Sequence, residues 1–241
     1  MGLSLLLSCL ALLGADQETE DALKAFDKGY RNPDAHARAG AVLELARTQN
    51  IAIMSKLAEF LTADEAPVRI AAAKGLGDFK ENKPKAAGVL MSALGVDAKE
   101  FDVVAAILTA LGTLGDPSGL STIHQHFSSK EPKDAEHLVP KSAILAAGLA
   151  RSRDSLEPLM ELLKEELKAT GTTGNDKSTK NTGGGVRGIP GGGTNPQKDR
   201  AKALIPSVIK ALQAITREKW ATAKEWEIWW EHHKDNFVVP K

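Results

Sequence analysis

The segment Val68-Arg-Ile-Ala-Ala-Ala-Lys-Gly-Leu-Gly77 recurs along this chain, and that recurrence constrains the fold more than any other feature. Val68, Ala72, Gly75, Leu76 and Phe79 fall at i, i+4, i+7, i+8 and i+11, one apolar stripe on a helix of 3.6 residues per turn. A Gly inside a helix costs about 1 kcal/mol relative to Ala. Gly75, with Ala71 and Ala73 beside it, therefore predicts the close approach of a neighbouring helix. Placing Arg38 on Arg69 brings Leu45 onto Leu76 and Ala46 onto Gly77, an offset of 31. A third copy, Val103 to Gly112, sets Leu111-Gly112 on Leu76-Gly77 at an offset of 35. A fourth, Lys141 to Ala150, sets Leu149-Ala150 on Leu111-Gly112 at an offset of 38, and a looser fifth spans Leu204 to Gln213.

Further helices separate these copies. A first helix opens on Glu18, Glu20 and Asp21 and carries Leu23 and Phe26 inward. Asn32-Pro33-Asp34 marks a helix start, with Asn or Asp as cap and Pro in the first turn. Ile53, Leu57, Phe60 and Leu61 form the inner face of a helix over 51–61. The spacing predicts others over 84–94, over 117–127 after Gly115-Asp116-Pro117, and over 156–167, the last capped by Asp154 with Glu157. Each unit is then a helix hairpin of 31 to 38 residues, which buries its stripe only by stacking on its neighbours. Aromatic residues are only 5% of the chain and no run of period-2 alternation occurs, so the fold class is all-α: a solenoid of about five stacked hairpins.

On these residues the chain resembles the HEAT-repeat family, including short bacterial forms related to phycobilisome-lyase-type repeats. The resemblance is carried by Arg38 and Arg69 in the first helices, the Ala-rich inner face, and the endings Leu76-Gly77, Leu111-Gly112 and Leu149-Ala150. It covers about 32–167 well and 204–237 loosely. Val104 and Ser142 stand where the family often has Arg, which predicts a broken polar ladder in the later repeats. The resemblance implies an α-solenoid that binds other proteins through its concave surface. Some relatives act on pigments or hydroxylated residues, but nothing matching those sites is visible here.

Residues 1–15 carry no charged side chain, and Leu3, Leu5–Leu7, Leu10, Leu12 and Leu13 form an apolar run ending in Gly14-Ala15. This reads as a cleavable signal peptide and predicts a secreted or periplasmic protein. No Lys or Arg precedes the run, and an uncleaved apolar anchor is the alternative. The run falls short of the roughly 20 residues of a membrane span. Cys9, the only cysteine, sits in a faint lipoprotein-like Leu6-Leu7-Ser8-Cys9; once the signal is removed, no disulfide or thiolate chemistry remains. The expected domains are 1–15 signal peptide, 16–169 repeats 1–4, 170–198 a disordered Gly-rich insertion, and 199–241 a last hairpin with a Trp-rich cap. Gly183-Gly-Gly185-Val-Arg-Gly188 in the insertion satisfies GxGxxG, but no strand precedes it and no helix starts at it, so it carries no nucleotide loop.

Trp220, Trp226, Trp229 and Trp230 hold all the tryptophan, and positions 226, 229, 230, 233 and 237 form one helical stripe. Large flat rings suit an end hairpin that must close the core. The alternative is an aromatic platform for carbohydrate, which requires Trp226 or Trp229 to face solvent. His124 and His126 point about 200° apart on a helix and suit no shared metal. Asp134/His137 and His232/Asp235 offer two ligands each, and no Gly-x-Ser-x-Gly elbow occurs. Asp64/Arg69 and Asp34/Arg38 read as caps and inter-repeat bonds. The linear pattern thus predicts no metal or cofactor and no enzyme. Lys+Arg and Asp+Glu are both 31, and zero net charge argues against nucleic acid as a partner.

The resulting expectation is a non-catalytic scaffold whose partner is another protein, with no transmembrane segment and with oligomeric state open. The candidate binding row on the second helices is Lys56, Glu59, Ser92, His124, His126, Glu161 and Lys164. Carbohydrate or cell-wall binding through the Trp cluster is the first alternative. An enzyme such as a lyase is the second, and it requires a His–carboxylate pair or two carboxylates within hydrogen-bond reach in the groove.

Overall fold

The computed structural model describes residues 17–96, 99–130, 134, 136–170 and 195–240. The expected signal peptide, Cys9 and residues 171–194 of the expected insertion lie outside the described residues. Within them all regular structure is helical. It comprises α1 (17–30), α2 (Ala35–Leu45), α3 (Ile51–Ala63), α4 (Ala66–Gly77), α5 (Lys83–Leu94), α6 (Phe101–Leu114), α7 (Leu120–Gln125), α8 (Leu138–Ala150), α9 (Leu156–Thr170), α10 (Pro196–Thr216) and α11 (Ala223–His233).

Local chemistry sets most of these boundaries. Asp34 is extended and its carboxylate accepts from Ala37 N at 2.8 Å, so Pro33 stands before the cap and not in the first turn. Asn50 caps α3 in the same way, accepting from Ile53 N. Gly115 ends α6 at φ +64, a conformation that favours glycine, and Asp116 then accepts from Ser118 N. The expected single helix over 117–127 is divided: a 3-10 turn at Pro117–Gly119, then α7, then a second 3-10 turn at His126–Ser128. Ser152, not Asp154, caps the next start by accepting from Asp154 N, and a 3-10 turn at Arg153–Ser155 leads into α9. Asp134 caps α8 from outside, its two carboxylate oxygens accepting from Leu138 N at 2.6 Å and Val139 N at 2.9 Å. That role accounts for one member of the Asp134/His137 pair.

The pairs α2–α3, α4–α5, α6–α7, α8–α9 and α10–α11 stack in chain order, which is the expected solenoid, with α1 closing one end. The first helices touch at backbone distance, and the small residues are the reason. A Cβ on Gly75 would meet Ala46 Cβ at 2.6 Å, one on Gly77 would meet Ala110 Cα at 2.8 Å, one on Gly112 Ala146 Cα at 2.5 Å, and one on Gly148 Ala211 Cα at 2.9 Å. These contacts make Ala46, Gly77, Gly112 and Gly148 equivalent. The fourth repeat therefore follows the third at an offset of 36, not 38, with Ala147-Gly148 on Leu111-Gly112. Leu149, expected in the core, is 52% exposed, whereas Leu76 and Leu111 are buried. The side chain that must vanish for α8 to reach its neighbour is at 148, and that need sets the register.

The stripe of α4 and the inner face of α3 are buried as expected, from Val68 to Phe79 and from Ile53 to Leu61. Each fully buried Leu or Ile contributes about 1.5–3 kcal/mol. Phe26 packs on Phe60 and Tyr30 at the α1 end. At the other end Trp226 and Trp229 are buried, edge to face, with Phe237 against Trp229. Trp226 Nε1 donates to the Trp220 carbonyl at 3.1 Å, while Trp229 Nε1 is buried with no hydrogen-bond partner among the described residues. Trp230 is half-buried and Trp220 is 38% exposed, so Trp220 serves the cap through its carbonyl and not its ring. Thr170 still belongs to α9 and Pro196 already to α10, so both edges of the expected 170–198 insertion are helical.

Candidate functional site

Two arginines tie successive repeats together, in a register different from the expected one. Arg38 on α2 reaches forward to the start of α4, with Nη2 2.9 Å from Asp64 and 3.0 Å from Glu65. Arg69 on α4 makes the same forward step to Glu100 at 3.0 Å, and its Nε donates to the Leu61 carbonyl at 2.8 Å. Asp64 thus serves Arg38 and not Arg69, and Asp34 serves its own helix. With the corrected register the following rungs are Val104, Pro140 and Ile205, so the polar ladder stops after two, and residue 140, not Ser142, is the fourth rung. Tyr30 also donates to Asp64. Arg38 holds the Asp64 carboxyl down at about 2, while burial, aided by the bond to Asp64, pushes Tyr30 up to about 12. Every group in this cluster is engaged, so its work is to join α1 to the stack.

A third tie lies elsewhere. Arg200 on α10 meets Glu166 on α9 at 3.0 Å and donates to the carbonyls of Ser129 at 2.6 Å and Phe127 at 3.0 Å. Both side chains are buried, and each of the three Arg200 nitrogens donates a bond in place of lost hydration. Sequence reasoning missed it because 34 residues separate the partners and neither belongs to the repeat motif.

The second-helix row, α3, α5, α7 and α9, is packed less closely than the first. Among the described residues it leaves open grooves, of which two stand out. One, about 490 Å³, lies between α7 and α9 and is lined by His124, Glu161 and Lys164 together with Phe127, Leu162 and Lys168. The other, about 540 Å³, lies between α3 and α5 and includes Ser92 with Leu61, Lys85, Val89 and Val96. Between them Thr122 Oγ1 touches Met91 Sδ at 3.3 Å and joins α7 to α5.

Of the seven candidate residues, His124, Glu161 and Lys164 are therefore brought together, and Ser92 lines the second groove. Lys56, Glu59 and His126 stand apart. Lys56 pairs with Glu59 at 2.7 Å and lies over the Phe60 ring, and His126 Nδ1 meets the Thr122 carbonyl at 2.8 Å. His124 Nε2 is 2.9 Å from Ser155 Oγ, and burial lowers its pKa against the pull of Asp154. Ser155 is fully buried, so this pair presents no nucleophile. Lys85, Gly88, Val89 and Val96 were missed, since nothing in a linear pattern tells an open groove from a filled one.

Among the described residues no cluster of three or more His, Cys, Asp or Glu is placed to hold a metal, and no helix is long and apolar enough to cross a membrane. Among the described residues no imidazole is hydrogen-bonded to a carboxylate in either groove, and the ring of His124 meets Ser155 instead. Trp226 and Trp229 are buried, and the carbohydrate platform loses the rings it required.

Residues 54–137, from the first turn of α3 to the start of α8, match the family model described as HEAT repeats. The paired helices continue on both sides of that stretch, and helical repeats of this kind generally serve as scaffolds for protein interaction. No curated protein matches the chain.

Proposed function

We propose that the chain is a non-catalytic scaffold that binds another protein through its second-helix row, and that it does so outside the cytoplasm after removal of residues 1–15. The observation that carries the reading is the difference between the two rows. The first-helix row is closed by Gly–Ala backbone contacts, while the second is open in two grooves whose side chains leave apolar surface and, among the described residues, unpaired charge at the protein's face. A surface of that kind binds by shape and side-chain chemistry and needs no reacting group.

The test is site-specific photo-crosslinking of the full chain in its source cell. A photoreactive residue at Lys164 or Ser92 is expected to give discrete adducts with a protein. One at Lys74 or Thr109, exposed on the first-helix row, is expected to give none. Adducts confined to the first-helix row, or to neither row, would remove the proposal. N-terminal sequencing of the mature chain decides the cleavage: a start at Asp16 supports export, and a start at Met1 or Gly2 refutes it.

A further inference from the structure

The groove between α3 and α5 has a different chemistry from its neighbour. The α7–α9 groove is rimmed by Glu161, Lys164, Glu165 and Lys168, the composition of a solvated helix face. The α3–α5 groove has an apolar floor of Ala58, Leu61, Val89 and Ala93, and among the described residues Lys85 is its one charged lining residue. In a chain that is 26% charged, such depletion is the compositional mark of an interface core. Val96 at one end of the trough is 63% exposed, a large apolar side chain open to solvent among the described residues.

The other end is positive for two independent reasons. Lys85 lies in the first turn of α5, and its ammonium has no ion pair or hydrogen bond among the described residues. The α5 N-terminus has no side-chain cap and no acidic residue in its first turn, so the positive end of the helix dipole meets no carboxylate within that turn. Lys83 does not add to this charge at the groove, because its Nζ donates to the Leu114 carbonyl at 2.9 Å on the far side. The trough follows α5 from Lys85 to Val96, roughly 16 Å at 1.5 Å per residue. That length takes anchors at i, i+4 and i+7 of a second helix, the usual pattern where a helix lies in a groove.

Resting on the reading of the second-helix row as protein-binding, we infer that the α3–α5 groove docks one amphipathic helix of a partner protein. A carboxylate of that helix meets Lys85, and its apolar side chains lie against Val89 and Val96. A partner acidic at one end and apolar along one face is thereby distinguished from a basic one.

Two synthetic amphipathic helices test this against the full chain by fluorescence anisotropy. Both carry Leu at i, i+4 and i+7; one has Glu at its end and the other Lys at the same positions. The acidic peptide is expected to bind saturably and the basic one at least about fivefold more weakly. Lys85→Glu is expected to reverse the order. Gly88→Leu is expected to abolish binding of both, since a Cβ at 88 points into open space with nothing within 4 Å. Leu is also the better helix former, so that variant remains folded. Equal affinity for the two peptides, no saturable binding, or binding undiminished by Gly88→Leu would overturn the inference. So would self-association of the full chain that Gly88→Leu breaks, because the groove would then belong to a second copy. If peptide binding fails while Lys164 still yields protein adducts, the groove assignment falls and the scaffold reading stands. Loss of adducts from the whole row removes both.

Discussion

Replacing Gly112 by Ala tests the claim that backbone contact holds the first-helix row together. The added methyl would lie 2.5 Å from both Cα and O of Ala146, whereas a side-chain Cβ essentially never comes within 3.0 Å of such atoms and ordinary contact begins at 3.4 Å. Because the obstructing atoms are backbone, no side-chain rotation relieves the clash, and α6 must move from α8 by about 1 Å. Overpacking of that kind costs about 3 kcal/mol. Against it stands the gain of removing glycine from a helix, about 1 kcal/mol. The net expectation is a loss of about 2 kcal/mol. Gly88→Ala is the control: the same residues are exchanged, again inside a helix, but nothing lies within 4 Å of the new methyl. It is expected to gain up to about 1 kcal/mol. Urea unfolding followed by helical circular dichroism measures both, and the two variants should differ by about 3 kcal/mol in opposite directions about the parent. If Gly112→Ala proves as stable as the parent, or moves with Gly88→Ala, the close-contact argument is wrong.

Other consequences are as direct. Arg200→Ala should destabilise by about 3–5 kcal/mol, as should Glu166→Ala, because each strands a buried partner. The double variant should lose much less than the sum, and additive losses would show that the pair is not coupled. Tyr30 is the one tyrosine, so absorbance at 295 nm should show it titrating near 12 in the folded chain and near 10 in urea. Its folded pKa is raised, so that stability is present below pH 10 and is lost as pH rises towards 12. Asp64 runs the other way: its folded pKa is depressed, so stability held above pH 3.8 is lost as pH falls towards 2, and Asp64→Asn should flatten the parent's decline over that window. Trp226→Phe should cost more than Trp229→Phe in thermal unfolding, because only Trp226 Nε1 has a bond to lose, to the Trp220 carbonyl, at about 1 kcal/mol. An equal loss in both would contradict that account.

Much of the fold was legible because the signals were local. The stripe from Val68 to Phe79, the cap at Asp34, and Gly115 each depend on residues within a turn or two. The fourth repeat was misregistered for the same reason. Leu149-Ala150 and Ala147-Gly148 read alike as a Leu-Gly-type ending, and only contact with Ala211 across α10 shows which glycine is needed. The division of 117–127 into α7 and two 3-10 turns also escaped, since no residue between Ser118 and Phe127 is a helix breaker apart from Gly119, whose place is set by Leu111 packing 3.2 Å from where its Cβ would stand. Of the candidate row, spacing alone assigned residues to an outward face. It could not say that His124, Glu161 and Lys164 share a groove while Lys56 and Glu59 consume each other's charge.

The sequence by itself determined that this chain is a stack of helix pairs, since apolar periodicity and small residues at fixed spacing are properties of the chain read in order. The tertiary structure alone decided which arginine meets which carboxylate, which glycine touches which helix, and where the second-helix row stays open. Those outcomes depend on distances between residues some thirty to seventy positions apart, and each is fixed by the packing of neighbouring repeats at once.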